Sequence, residues 1–106
     1  MTVLKSIAEL ADRIIREFHP ERIILFASSA VGAATEDSDV DLLVIMPPEG
    51  SGLRKAAEIM NKISPRIPVD LIVRDPEDVR RRLKANDFFL REVFEKGRVL
   101  YESVND

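Results

Sequence analysis

Three aspartates occupy strand-like segments, and they are the side chains best suited to chemistry. Asp39 and Asp41 open the segment DVDLLVI, and Asp70 lies in the middle of IPVDLIV. Residues two apart in a strand point to the same face, so Asp39 and Asp41 should project side by side; Asp70 can join them if its strand is the neighbour. A pair of like charges about 4 Å apart costs on the order of 4 kcal/mol at an effective dielectric constant of about 20. Such a cluster raises a pKa sharply or binds a cation.

The ligand type predicts which cation. Carboxylate oxygens with no His or Cys nearby favour Mg²⁺, or Mn²⁺, over Zn²⁺. Magnesium held by a few carboxylates keeps positions open for water and substrate phosphates, which makes phosphoryl or nucleotidyl transfer the natural chemistry. Ser28 and Ser29 follow an apolar run within a turn of small residues, where hydroxyl and backbone N–H groups can approach phosphates closely. Ser29 could equally cap a short helix.

The elements that must position these residues alternate along the chain. Apolar periodicity and capping residues predict four helices, over Leu4 to Phe18, Leu53 to Ile63, from Asp75-Pro76 through Leu83, and Phe88 to Lys96. Gly97 is placed to end the last helix in the left-handed conformation. Short β-rich segments predict strands at Arg22–Phe26, Asp39–Ile45 and Ile67–Val73, with a short edge strand at Arg98–Glu102. We expect an α/β (α+β) fold in which helices flank a small mixed sheet.

Composition bounds the class of protein. A chain of 106 residues, 45% apolar and 33% charged, is expected to form a single domain over 1–106. The absence of cysteine excludes disulfides and thiolate metal sites. No apolar run reaches the length of a membrane span and the first residues lack a signal-peptide core, so the expected location is cytoplasmic. A net charge of −3 argues against general nucleic-acid binding.

The less specific interpretations remain open for several residues. D-x-D alone can be a solvent-exposed strand start, and Asp70 can sit on an exposed face. The basic run Arg80 to Arg82 is most simply a solvated helix face, because consecutive helical residues point in different directions. The aromatic residues Phe88, Phe89 and Phe94 are interpreted as core or partner contacts rather than as a base-stacking platform.

An apolar strand, a small residue and Ser28, ten further residues and then DVDLLV resemble the signature of the DNA polymerase beta nucleotidyltransferase superfamily. The short chain, its leading helix and its ending FFLREVFEKGRVLYE look most like the minimal nucleotidyltransferases, typified by the MntA-type antitoxins of HEPN/MNT toxin–antitoxin pairs. The resemblance covers nearly the whole chain, from the first helix to Tyr101, and implies the nucleotidyltransferase fold.

The resemblance also implies roles. The family's paired metal-binding aspartates fall on Asp39 and Asp41, and its third carboxylate, which joins a metal and helps to deprotonate the attacking hydroxyl, falls on Asp70. The phosphate-binding serine falls on Ser28. The family uses two Mg²⁺ ions to organise a nucleoside triphosphate. The antitoxin branch transfers AMP from ATP to a tyrosine of its HEPN partner.

One segment departs from the family pattern. The family usually has Gly-Ser followed by arginine, whereas this chain has Ala27, Ser28 and Ser29, and then Val31 where a second arginine often stands. The methyl group of Ala27 disfavours positive φ, and the missing arginines remove cations that would meet the triphosphate or a partner. Two alternatives to the enzyme therefore stay open: a weak or inactive module that neutralises a HEPN partner by binding, and a stand-alone nucleotide-binding domain.

Overall fold

The computed structural model describes residues 3–26, 40–47, 50–65 and 67–103. Within these ranges, four helices and four strands follow one another in the order α1 Val3–Phe18, β1 Arg22–Phe26, β2 Val40–Ile45, α2 Gly52–Ile63, β3 Val69–Arg74, α3 Pro76–Lys84, α4 Phe88–Lys96 and β4 Arg98–Glu102. The predicted α/β fold with a small mixed sheet is confirmed. None of the helices in the described ranges is long and apolar enough to cross a membrane.

The sheet has the strand order β3-β2-β1-β4. Strand β1 is antiparallel to both β2 and β4, whereas β2 and β3 are parallel. Parallel neighbours need a crossover connection, and α2 supplies it between β2 and β3. The third strand thus lies beside the second, which is the arrangement that lets Asp70 join the acids of the second strand. Arg98–Glu102 is an edge strand, as predicted.

Helices cover both faces of the sheet. Helices α1 and α2 pack on one face, where the core includes Ile14, Ile59, Leu42, Val44 and Val73. Helices α3 and α4 pack on the other face, where the core includes Ile24, Leu43, Ile45, Val79, Leu90 and Val93. Because side chains alternate along a strand, Asp41 shares the α3/α4 face with Leu43 and Ile45.

The element ends follow local chemistry. His19 ends α1 at a positive φ of 52°, and its N–H donates to the Ile15 carbonyl at 3.0 Å. Asp75 caps α3 as predicted, its Oδ1 accepting from the Glu77 N–H at 2.8 Å. Strand β3 begins at Val69, two residues later than predicted, since Pro68 has no N–H to donate to a ladder. Asp70 is therefore the second residue of its strand.

The prediction for Gly97 is wrong. Its φ of −75° and ψ of 166° are extended rather than left-handed. Glycine is needed there for space: a Cβ at this position would lie 2.3 Å from the Val93 carbonyl oxygen and 2.7 Å from Ile24 Cγ2. The Val93 carbonyl in the last turn of α4 and the close approach of β1 together account for the glycine.

Candidate active site

Parallel pairing brings two of the three aspartates together. Strands β2 and β3 are in register from Val40 opposite Val69 to Ile45 opposite Arg74, and Asp41 is directly opposite Asp70. Register partners in a sheet point to the same face and neighbouring strands lie about 4.8 Å apart. The two carboxylates therefore leave the same face of the sheet from adjacent strands.

The environments of the two carboxylates differ. Asp41 is 7% exposed and is the one charged residue among the buried residues of the described chain, whereas Asp70 on the edge strand is exposed. A buried carboxylate beside a second carboxylate is costly unless other groups compensate its charge. Two carboxylates side by side with an open route to solvent suit a hard cation such as Mg²⁺.

The remaining predicted site residues lie outside the described residues: Ser28, Ser29 and Asp39. Within the described ranges no group of three or more His, Cys, Asp or Glu side chains is gathered as a metal site. The segment that carries the three residues joins Phe26 to Val40, and these two residues border the same end of the sheet as Asp41.

The comparison with protein families bears on the chain as a whole. The family model described as the nucleotidyltransferase domain matches residues 7–100. The chain belongs to the nucleotidyltransferase domain family. Neither a curated protein nor a solved structure matches it. Membership makes the chain a transferase by kind, with a nucleoside triphosphate as its substrate class.

The nucleotidyltransferase domain has an aromatic pair on the other side of Asp41. Phe26 is opposite Asp41 in the antiparallel β1–β2 pair, so it lies on the same face. The Phe89 ring of α4 meets the Phe26 ring edge to face, with centroids 5.6 Å apart and an interplanar angle of 82°. Sequence reasoning did not connect these rings with the aspartates, because no residue pattern gave the β1–β2 register.

The aromatic residues of α4 differ in how deeply they are buried. Phe88 is 78% exposed and Phe89 is 41% exposed, so neither is a core residue. Phe94, near the other end of the helix, packs against the core and lies beneath the Arg22 guanidinium at 5.6 Å. The core contact is therefore confirmed for Phe94, whereas for Phe88 and Phe89 a partner contact stays a prediction.

A groove opens beside Asp70. It has a volume of about 580 Å³ and runs from the end of α2 along the start of β3. Its lining mixes polar and apolar side chains: Met60, Asn61, Ser64, Pro65, Ile67, Pro68, Val69 and Asp70. The volume lies within the usual range for ligand sites, and the lining includes Asp70, a candidate catalytic residue.

The basic run on α3 has a structural role. Arg81 and Arg82 both donate to the Asp78 carboxylate from the next turn of the helix, and Arg82 Nε lies 2.9 Å from Oδ2. Desolvation is the largest single influence on the Asp78 pKa and raises it, but the hydrogen bonds and charges of Arg82 and Arg81 together hold that pKa below its usual value. These two guanidiniums therefore pair with an acid of their own helix and stabilise α3.

Proposed function

We propose that this nucleotidyltransferase domain transfers a nucleoside monophosphate, AMP from ATP, to a hydroxyl group on a protein partner. The observation that carries the proposal is the register of Asp41 and Asp70 on the parallel strands of a chain that belongs to this family. Two carboxylates on one face provide both a cation site and a proton acceptor.

Each residue has a role in the proposed site. Asp39 and Asp41 would bind Mg²⁺, for which Mn²⁺ could substitute, and Asp70 would contribute a further oxygen ligand. Two bound Mg²⁺ ions would neutralise charge on the triphosphate and on the leaving group. Ser28, with Ser29 beside it, donates hydrogen bonds to the phosphates. The oxygen-only ligand set fits this cation by its chemistry.

The transfer step is an in-line displacement. The acceptor hydroxyl oxygen forms a bond to the α-phosphorus, the bond from that phosphorus to the bridging oxygen of the β-phosphate breaks, and pyrophosphate leaves. The hydroxyl proton passes to the Asp70 carboxylate. Asp70 suits this role because its exposed position on the edge strand gives an incoming acceptor access to it.

The groove beside Asp70 supports a macromolecular acceptor. Its volume and mixed lining suit a segment of a protein partner, and Asp70 is among the residues that line it. A helical HEPN-type toxin is the partner we propose, with the nucleotidyltransferase domain as its antitoxin. Modification of the toxin by AMP would then be the route to neutralisation.

The test combines the protein, Mg²⁺-ATP and the candidate HEPN partner, and measures the intact mass of the partner. One added AMP is expected with the wild type and none with Asp41→Asn or Asp39→Asn. Asp12→Asn is the matched control, since Asp12 is an exposed acid on α1, with a side chain 62% exposed, that pairs with Arg16. An unmodified partner in the wild-type reaction would count against the enzyme.

A second function is favoured by the altered turn. Ala27, Ser29 and Val31 replace the glycine and arginines that the family usually has, which would lower nucleotide affinity or rate. A domain of this kind would neutralise its partner by binding alone. Neutralisation that persists fully in Asp39→Asn and Asp41→Asn would establish binding without catalysis.

A further inference from the structure

Three neighbouring strands place Phe26, Asp41 and Asp70 in one row across the sheet. Asp41 is opposite Phe26 on one side and opposite Asp70 on the other. Register partners share a face, so all three side chains are on the face that α3 and α4 cover. The aromatic ring and the edge carboxylate therefore flank the buried carboxylate from opposite sides.

Helix α4 adds a second ring to the aromatic side of this row. Its buried face holds Leu90 and Val93 in the core, at 1% and 3% exposure, which fixes the helix against the sheet. The Asp87 carboxylate caps its first turn by accepting from the Leu90 N–H at 3.0 Å. Phe89 is thereby held against Phe26 at a fixed, nearly perpendicular angle.

The contact with Phe26 covers only part of the Phe89 ring. The ring remains 41% exposed next to a charged site, and the adjacent Phe88 is 78% exposed. Water-exposed aromatic rings beside a polar site provide a flat apolar surface for a flat ligand. Any nucleobase can stack on such a ring because every base has a π face.

We propose that Phe89, supported by Phe26, is the stacking surface for the base of the donor nucleotide. The inference rests on the proposed function, in which Asp70 serves the acceptor. If the acceptor enters from the Asp70 side of the row, the donor extends from Asp41 toward the opposite side, where Phe26 and Phe89 lie. The base is the flat, weakly polar part of a nucleoside triphosphate, and this is the aromatic part of the site.

The contribution of stacking is separable from that of the phosphates. Stacking on an aromatic side chain adds roughly fivefold to a hundredfold in affinity per base. It acts on ATP and leaves inorganic tripolyphosphate, which has no base, unaffected. Because stacking does not depend on a hydrogen-bond pattern, Phe89 should strengthen binding of ATP and GTP to a similar extent.

The experiment compares ATP with inorganic tripolyphosphate by calorimetric titration in Mn²⁺, using the whole chain. Wild type should bind ATP more tightly than tripolyphosphate. Phe89→Leu should weaken ATP about tenfold and leave tripolyphosphate within about twofold, whereas Phe89→Tyr should retain ATP affinity. Phe94→Leu is the matched control, because it removes a ring from the same helix at the Arg22 end. Circular dichroism and melting curves establish that each variant is folded.

The outcomes separate this inference from the proposed function. If Phe89→Leu weakens both ligands equally or neither, or weakens partner binding while ATP affinity is unchanged, the stacking role is wrong although the nucleotide site stands. If the wild type binds neither ligand, or if Asp41→Asn leaves both affinities unchanged, the proposed nucleotide site is wrong, and the stacking role is wrong with it.

Discussion

The junction between α4 and β1 offers the sharpest test of the packing that supports the candidate site. Gly97 lies where α4 ends, and its N–H donates to the Val93 carbonyl at 2.8 Å. In Gly97→Ala the new methyl group would meet that oxygen at 2.3 Å, Ile24 Cγ2 at 2.7 Å and the Leu25 carbonyl oxygen at 3.1 Å. The shortest of these contacts is about 1 Å below an ordinary C···O contact of about 3.3 Å.

Relief of this overlap requires the backbone to move, because two of the three contacting atoms are carbonyl oxygens. Forcing one carbon into a packed site typically costs about 1–3 kcal/mol, and backbone contacts favour the upper end, about 2–3 kcal/mol. For a chain of this size the melting temperature should fall by about 10–20 °C. Urea denaturation followed by circular dichroism gives the free energy of unfolding directly.

Two comparison variants isolate the cause. Gly50 has a positive φ of 101° and no atom within 4 Å of the point that an alanine methyl group would occupy, so Gly50→Ala tests backbone conformation without overlap and should cost about 1 kcal/mol. Leu53 is 84% exposed, so Leu53→Ala should stay within about 0.5 kcal/mol of the wild type. A Gly97→Ala protein as stable as Leu53→Ala would show that the last turn of α4 and β1 do not crowd this position as closely as the structure indicates.

Asp70→Asn should leave the melting temperature of the ligand-free protein unchanged or slightly raised, because it removes a charge beside Asp41. The stabilisation that Mn²⁺ with ATP gives the wild type, about 2.7 kcal/mol at a hundredfold excess over Kd, should become smaller in this variant, because one oxygen ligand of the cation is lost. Arg80→Ala, at the groove of about 330 Å³ near the end of β2, should keep the full stabilisation by Mn²⁺ with ATP. If Arg80→Ala loses that stabilisation and Asp70→Asn keeps it, the nucleotide binds at that groove instead. Asp78→Asn tests the lowered pKa of Asp78. The stabilisation from the ionised carboxylate is present above its unfolded pKa near 3.8 and is lost as the pH falls through the lower folded pKa. The unfolding curves of the variant and the wild type should therefore differ at pH 7 and converge in strong acid. Asp75→Ala should cost about 1 kcal/mol in the same denaturation assay, since it removes the cap of α3; a loss below about 0.3 kcal/mol would mean that the cap is not used.

Most elements could be predicted because their signals are local. Strand β1 has the predicted bounds, and α3 begins at Pro76 after the Asp75 cap as the Asp-Pro pair indicated. Gly97 shows where local signals fail. Glycine after a helix usually indicates a left-handed cap, but here the residue responds to crowding by the last turn of α4 and by β1, a strand that is distant in sequence.

The candidate site was predicted in part for the same reason. The type and spacing of the acids indicated a cation site, which stays a prediction, and the pairing of Asp41 with Asp70 needed the third strand to lie beside the second in the observed register. The position of Phe26 beside Asp41 could not be predicted, because it requires the β1–β2 register. To predict the contact of Phe89 with Phe26, the position of α4 on the sheet would also have to be known, and long-range packing determines that position.

The end of the sheet at which the acids lie is itself informative. Ligands of open α/β sheets usually bind beyond the carboxyl ends of parallel strands, and by that rule the groove near Ile45 would be the site. Asp41 and Asp70 instead lie at the amino ends of β2 and β3. The antiparallel strand β1 explains the difference, because it ends where β2 begins and so brings Phe26 to the end of the sheet that carries the acids. In a mixed sheet of this kind, the strand that runs against the parallel pair determines which end of the sheet its last residue, here Phe26, shares with the two carboxylates.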